Sequence, residues 1–171
     1  MPLLCLILAG GKSERMGRDK ALLYDSVNAL AEELEAKGCK VVVACGSENR
    51  AHHFHSTCWP DPENTESLAE IIRAFAGKNN EEIQLFPCDM YRLDSRAIET
   101  VLGQPPGVPV DAQNKEQFTL ARIAKHCQLP ESKSLRDLFS NFQRNDMSIL
   151  EDRIENFNLP NQIDALNKSN Q

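Results

Sequence analysis

A segment rich in glycine and positive charge, near the amino terminus, carries the clearest chemical signal in this sequence. Residues 8–20 have the sequence L-A-G-G-K-S-E-R-M-G-R-D-K and follow the apolar run 3–8. Gly10 and Gly11 lack a Cβ, so backbone N–H groups there can turn towards a ligand. Four cations of the segment could neutralise a polyphosphate: Lys12, Arg15, Arg18 and Lys20. The pattern predicts a phosphate-binding loop, although an ordinary basic loop between a strand and a helix has the same composition.

Two of these cations suit different parts of a phosphate site. The guanidinium of Arg15 can contact two phosphate oxygens at once, whereas the ammonium of Lys20 acts as a compact point charge. The spacing of the segment matches neither the Walker A loop nor the G-x-G-x-x-G pattern of dinucleotide-binding folds. The segment therefore predicts a phosphate site of another kind.

One carboxylate follows a later apolar run and is the best candidate for a metal ligand. Asp89 comes shortly after residues 83–86, so we expect it at the carboxyl end of a strand, near the glycine-rich loop. Mg²⁺ takes one or two carboxylates together with phosphate oxygens and several waters. Asp89 could also serve as the cap of a helix or turn.

Alternating strand and helix patterns supply the elements that must position these residues. Strand-like runs lie at 3–9, 40–45, 83–87 and 108–110, with helical spacing between them. The first predicted helix covers 27–34 and ends before Gly38. The second covers 68–75, with Asn64 or Thr65 as its cap and Gly77 at its end. The third covers 135–142 and follows Ser132 or Ser134. This alternation predicts an α/β domain over residues 1–166, with a mostly parallel sheet, helices on both faces and a polar tail at 167–171. Ligands of such sheets bind beyond the carboxyl ends of the strands.

Composition narrows the class of ligand. The chain has 171 residues and a formal net charge of −6. This negative charge argues against sequence-independent binding to nucleic acid. No apolar run has the roughly 20 residues of a membrane span, and the start lacks the basic region of a signal peptide. Six cysteines without a C-x-x-C pair are typical of reduced thiols. We therefore expect a cytoplasmic protein with a small anionic ligand.

The glycine-rich segment resembles the signature of the molybdenum cofactor guanylyltransferases, within the larger family of nucleotidyltransferases. The likeness covers thirteen consecutive positions, residues 8–20. The sequence P-C-D-M at 87–90 resembles that family's metal-binding segment, and S-L-A-E-I at 67–71 resembles the start of one of its helices. N-F-N-L-P at 156–160 is similar to a segment near the family's end.

The resemblance implies a Rossmann-like nucleotidyltransferase fold and transfer of GMP from GTP to the phosphate of molybdopterin. It implies Mg²⁺ as cofactor, with no nucleic acid or membrane partner and with transient contact to proteins that mature molybdoenzymes. The residues it implies are Leu8, Ala9, Gly10, Gly11, Lys20, Asp61 and Asp89 for nucleotide binding, Arg15, Lys20 and Asp89 for catalysis, and Asp89 and Asn158 for the metal. Without the resemblance, Asp61 would be as consistent with a turn residue between two prolines.

Several positions depart from the family pattern. Gly46 stands where the family has an asparagine, and the acceptor stretch at 112–120 is degraded. Glu66, Glu70 and Glu116 add negative charge where an anionic acceptor would approach, which predicts slow transfer eased by salt. Two alternatives therefore stay open. One is a cytidylyltransferase or another nucleotidyltransferase for a small acceptor, and the other is a GTP-binding module without catalysis.

Overall fold

Two sheets form the framework of the molecule, of which the computed structural model describes residues 2–10, 22 and 25–155. The strands are β1 (Leu4–Leu8), β2 (Lys40–Gly46), β3 (Thr57–Pro60), β4 (Ile83–Pro87), β5 (Val108–Val110), β6 (Arg122–Ile123) and β7 (Arg144–Asp146). The larger sheet has the order β3-β2-β1-β4-β6. Its first four members are parallel, whereas β6 pairs antiparallel with β4. The remaining two strands, β5 and β7, form a small parallel sheet of their own.

Within the described residues, four α-helices and three 3₁₀ segments connect the strands. The helices are α1 (Ser26–Ala36), α2 (Leu68–Lys78), α3 (Ser95–Leu102) and α4 (Leu135–Leu138). The 3₁₀ segments are Glu48–His53, Phe118–Leu120 and Ser148–Ile154. None of the helices within the described ranges is long and apolar enough to cross a membrane.

The central strand β1 is buried on both faces and divides the core into two layers. Cys5 and Ile7 pack in one cluster with α1 and α3. Leu4, Leu6 and Leu8 pack in the other cluster with α2 and α4. Alternate residues of a strand point to opposite faces, so a strand covered on both sides is apolar throughout. The predicted α/β class, with helices on both faces of a mostly parallel sheet, is confirmed.

The four predicted strands agree closely with β1, β2, β4 and β5, whereas β3, β6 and β7 were not predicted. Helix α1 ends before Gly38, which has a φ of 89°, as predicted. The predicted caps of α2 were wrong. Ser67, not Asn64 or Thr65, is its N-cap, because its hydroxyl accepts the Glu70 N–H at 3.2 Å while the Glu70 carboxylate accepts the Ser67 N–H. At the other end Gly77 lies inside the helix.

The third predicted helix is much shorter than its spacing indicated. Helix α4 begins after Ser134 and ends at Leu138. The guanidinium of Arg144 donates to the carbonyls of Phe139 and Phe142 at 3.1 and 2.7 Å, so β7 supplies donors to backbone groups past the helix end. Helix α3 was not predicted, although Asp94 caps it by accepting the Ala97 N–H.

Candidate active site

The order of the strands locates a crevice at the carboxyl edge of the large sheet. From β1 the chain builds outwards through β2 and β3, and then returns to place β4 on the other side of β1. Loops that leave β1 and β4 therefore diverge, and such a switch point is where open α/β sheets bind ligands. Leu8 pairs with Pro87, so Gly10 and Asp89, each two residues further on, follow neighbouring strand ends. The topology brings the start of the glycine-rich segment and the candidate metal ligand to one place.

A cavity of about 290 Å³ opens beside this switch point. It brings together Leu8, Gly10 and Asp61, which come from the ends of two strands that are not neighbours. The cavity is lined by Leu8, Gly10, Ala44, Asp61, Thr65, Glu66, Ser67, Leu68 and Ile71. Apolar side chains from β1, β2 and α2 lie beside polar groups from the loop before α2. This mixture suits a flat, partly polar group such as a nucleobase.

The wall of the cavity depends on close contact between two glycines. A Cβ placed on Gly10 would lie 3.1 Å from the Cα of Gly46 and 3.2 Å from its N, closer than most such contacts. Gly46 itself has a φ of 85°, a conformation that favours glycine. Its carbonyl accepts the Asp61 N–H at 2.8 Å. The backbone of Gly46 therefore connects the ends of β1 and β3.

Arg50 fixes the same strand ends, and no sequence pattern had singled it out. One guanidinium nitrogen donates to the carbonyl of Ala9 at 2.5 Å and to that of Cys45 at 2.6 Å. The guanidinium carbon also lies 6.0 Å from the ring centre of Phe54. Bonds from a charged donor are stronger than neutral ones. Only its position could have indicated this role, because Arg50 lies in the 3₁₀ segment after β2, at the carboxyl edge where ligands bind.

Asp61 is subject to two opposing influences. Partial loss of hydration raises the pKa of its carboxyl above the ordinary value, and the positive charge of Arg50 offsets part of that increase. Arg50 thus favours the ionised form of Asp61, which accepts hydrogen bonds but does not donate them. The rim of the cavity thereby presents a hydrogen-bond acceptor to a ligand.

Replacing Arg50 by alanine is expected to weaken binding of GTP–Mg²⁺ by about tenfold and to raise the pKa of Asp61. The substitution removes two charge-assisted bonds, each worth roughly 1.5–3 kcal/mol, and the nearby positive charge. Calorimetry measures the affinity, and NMR titration measures the pKa. Arg73→Ala is the matched control, since Arg73 also donates to a backbone carbonyl, that of Leu129 at 3.0 Å, and does not line this cavity. Unchanged affinity and pKa in Arg50→Ala would contradict the positioning role.

Asp89 fits a site for a hard cation that is completed by substrate. Among the described residues no group of three or more His, Cys, Asp or Glu side chains could hold a metal ion. A cage made wholly of protein ligands is therefore not found in these ranges. Mg²⁺ does not need one, because it takes one or two carboxylates and fills the remaining positions with phosphate oxygens and water. A carboxylate at the switch point is the donor that such an ion requires.

Four of the predicted site residues lie outside the described residues. They are Gly11, Arg15, Lys20 and Asn158. The polar tail at 167–171 lies outside them as well. The roles of the four site residues in binding phosphate and metal stay predictions from the sequence.

The three glutamates expected to repel an acceptor all have local partners. The Glu70 carboxylate accepts the backbone N–H groups of Glu66 and Ser67, which holds its pKa below the ordinary value. Glu66 lies 3.3 Å from the ammonium of Lys133. The Glu116 carboxylate accepts from Arg144 at 2.5 Å and from Arg136 at 3.3 Å. Ion pairs thus accompany Glu66 and Glu116, backbone N–H groups accompany Glu70, and the expected salt dependence of transfer stays a prediction.

Comparison with known proteins places this architecture in a family. A family model described as the MobA-like NTP transferase domain matches residues 5–144. No curated protein gives a significant match. Among solved structures, molybdopterin-guanine dinucleotide biosynthesis protein A from Archaeoglobus fulgidus has a TM-score of 0.72 at 14% identity, with coverage of 99% of this chain and 100% of that chain.

Two further solved structures share the fold. A protein from Aquifex aeolicus VF5 has a TM-score of 0.69 at 17% identity, and the match covers 92% of this chain and 94% of that chain. CMP:2-keto-3-deoxy-manno-octonic acid synthetase, solved with CTP, has a TM-score of 0.57 at 12% identity with full coverage of both chains. At these identities the structural likenesses establish the fold, and the family follows from the sequence match.

Proposed function

Because this chain belongs to the MobA-like NTP transferase domain family, we propose that its nucleotidyltransferase activity moves GMP from GTP to the phosphate of molybdopterin. The observation that carries the proposal is the cavity beside the switch point, which Leu8, Gly10 and Asp61 line together. It has the size and polarity for a base, and Gly10 in its lining leads into the glycine-rich segment. We propose that a nucleotide with its base in the cavity binds its phosphates through the cations of that segment and, with Mg²⁺, through Asp89.

Guanine is the base that this cavity suits better. The Watson–Crick edge of guanine presents two neighbouring N–H donors, whereas that of cytosine presents a donor beside an acceptor. An ionised Asp61 offers two acceptor oxygens and no donor. The Gly10–Gly11 pair supports the same choice, since relatives that use CTP tend towards L-A-A-G. GTP is therefore the proposed substrate.

The proposed reaction exchanges one bond at the α-phosphorus of GTP for another. An oxygen of the acceptor phosphate attacks that phosphorus, the bond to the bridging α–β oxygen breaks, and pyrophosphate leaves with the bonding electron pair. Arg15 and Lys20 would stabilise the charge that builds on the leaving and equatorial oxygens. Mg²⁺, held by Asp89 with Asn158 as a second proposed ligand, would supply further neutralisation of the triphosphate when bound.

Calorimetric titration with GTP–Mg²⁺ and CTP–Mg²⁺, together with pyrophosphate release in the presence of molybdopterin, tests the proposal. We expect tighter binding of GTP and release that depends on acceptor. Lys20→Ala and Arg15→Ala should each weaken binding by roughly 1.5–3 kcal/mol, because each removes a charge-assisted contact. Lys78→Ala and Arg96→Ala, at exposed positions on α2 and α3, are the matched controls.

Each alternative function predicts a different result. Equal affinity for CTP and GTP would contradict the guanine assignment and favour another nucleotidyltransferase. Tight GTP binding without pyrophosphate release, with acceptor present, would indicate a binding module without catalysis. Wild-type affinity in both loop variants would show that Arg15 and Lys20 do not contact phosphate.

A further inference from the structure

The loop after β4 that carries Asp89 is short and contains a closed turn. It covers residues 88–94 and leads directly into α3. The Leu93 N–H donates to the Met90 carbonyl at 3.2 Å, and this bond closes a turn that contains Arg92. Any group that binds the Arg92 side chain therefore acts on the loop that carries the candidate metal ligand.

A segment far away in the chain binds this turn. The guanidinium of Arg92 donates to the carboxylate of Asp152, which lies in the 3₁₀ segment Ser148–Ile154. Leu150 of the same segment is buried and belongs to the core cluster that also contains Met90. An ion pair and a shared apolar core thus connect the segment to the loop.

The backbone of the segment has an unusual conformation next to Asp152. Glu151 has a φ of 52° and a ψ of −125°, which lies outside the left-handed helical region and is rare for residues other than glycine. Such strain persists only where the surrounding contacts impose it. Leu150 precedes the strained residue and is buried, whereas Asp152 follows it and contacts Arg92. The contacts of the segment with the core and with the loop therefore determine its shape.

A second ion pair between the same two parts of the chain is weaker. The Nε atom of Arg153 lies 3.8 Å from a carboxylate oxygen of Asp94, beyond hydrogen-bond distance. The other oxygen of Asp94 accepts the Ala97 N–H at 2.8 Å and caps α3. The direct bond from Arg92 to Asp152 is therefore the stronger polar link of the two.

We propose that Asp152 is a positioning residue, which fixes the Asp89 loop through Arg92 and thereby raises the affinity of the GTP-bound protein for its divalent cation. The inference rests on the proposed function, since it concerns the metal of that reaction. The side chains of Arg92 and Asp152 are 32% and 53% exposed, so their ion pair adds little to the stability of the fold. Metal affinity is more sensitive, because loss of a group that orients a ligand commonly lowers it by a factor of about 10–100. Asp152 acts through a second residue, so we expect a smaller factor.

Titration of the GTP-bound protein with Mn²⁺, in which EPR measures the free ion, tests this role. Asp152→Ala and Arg92→Ala should each lower the affinity for Mn²⁺ at least about threefold. Charge alone predicts opposite signs, because loss of a carboxylate weakens cation binding and loss of a guanidinium strengthens it. The double variant should lose no more than either single variant, because each residue acts through the other. Glu99→Ala is the matched control, since it removes another partly exposed ion pair of α3, with Lys37 at 3.0 Å.

Amide hydrogen exchange provides a second readout that needs neither nucleotide nor metal. Backbone amides of residues 88–94 should exchange at least about threefold faster in Asp152→Ala and in Arg92→Ala than in the wild type. Exchange in β1 and β2 should be unchanged, because a local opening affects only the amides of the released segment. Glu99→Ala should exchange like the wild type at 88–94.

The outcomes separate this inference from the proposed function. Opposite changes in Mn²⁺ affinity in the two single variants, or unchanged affinity and exchange, would overturn it, even if transfer of GMP were normal. Lower Mn²⁺ affinity in both variants would support it, even if the protein bound GTP without releasing pyrophosphate. A wild-type protein that bound neither GTP nor Mn²⁺ would contradict the proposed function, and the exchange rates at 88–94 would then decide whether Asp152 holds the loop.

Discussion

Replacing Asp89 by asparagine is expected to slow Mg²⁺-dependent nucleotidyl transfer by roughly a hundred-fold or more. The amide keeps the shape of the side chain but lacks the negative charge that a hard cation prefers. Loss of one group that stabilises the transition state commonly lowers kcat by a factor of about 10²–10³. Nucleotide binding without metal should persist, because the cavity at Leu8, Gly10 and Asp61 does not include this carboxylate. Pyrophosphate release over a Mg²⁺ series measures the effect.

A neighbouring carboxylate provides the matched control for that experiment. Asp94 caps α3 through its side-chain oxygen, and asparagine caps helices equally well. Asp94→Asn therefore makes the same chemical change five positions away and should leave transfer unchanged. If Asp89→Asn retained the wild-type dependence on Mg²⁺, the metal would have to bind elsewhere, and Asp89 would be a structural residue.

Replacing Arg122 by alanine is expected to lower the free energy of unfolding by roughly 3–5 kcal/mol. The side chain is 7% exposed, and it donates to the Gln84 side chain at 2.9 Å and to the Leu102 carbonyl at 2.5 Å. Gln104 donates to the same oxygen of Gln84 and accepts from Asn145 of β7. This network joins the large sheet to the small one. Removing its charged member leaves a cavity, and the half-buried Leu102 carbonyl and the buried Gln84 side chain each lose a donor.

Urea unfolding measures this loss, with Arg96→Ala as an exposed control. Surface substitutions of that kind usually change stability by less than about 0.5 kcal/mol. If the variant and the wild type have the same m-value, the shift of the urea midpoint reports a loss of stability and not a change in the compactness of the unfolded state. A loss below about 1 kcal/mol in Arg122→Ala would contradict the view that the network holds the two sheets together.

The sequence alone determined the features that depend on local pattern. Buried parallel strands are apolar throughout, so the runs at 40–45 and 83–87 identified β2 and β4 almost to the residue. The 3.6-residue period and Gly38 defined α1. Glycines and cations in fixed order indicated a phosphate loop and carried the resemblance that the family match confirms. A serine followed three positions later by a glutamate is likewise a local signal for the cap of α2.

Tertiary structure decided whatever depends on groups distant in the chain. The spacing of Leu135, Leu138, Phe139 and Phe142 suits a helix, yet α4 ends at Leu138, and Arg144 of β7 donates to the carbonyls beyond it. Arg50 became part of the site only because β1 and β2 bring the carbonyls of Ala9 and Cys45 within its reach. The sequence suggests that Glu116 repels an anionic acceptor. In the structure its carboxylate accepts from two arginines that lie 20 and 28 positions further along the chain. A local sequence pattern indicates whether a residue is buried, whereas the partner of its side chain depends on how the whole chain packs.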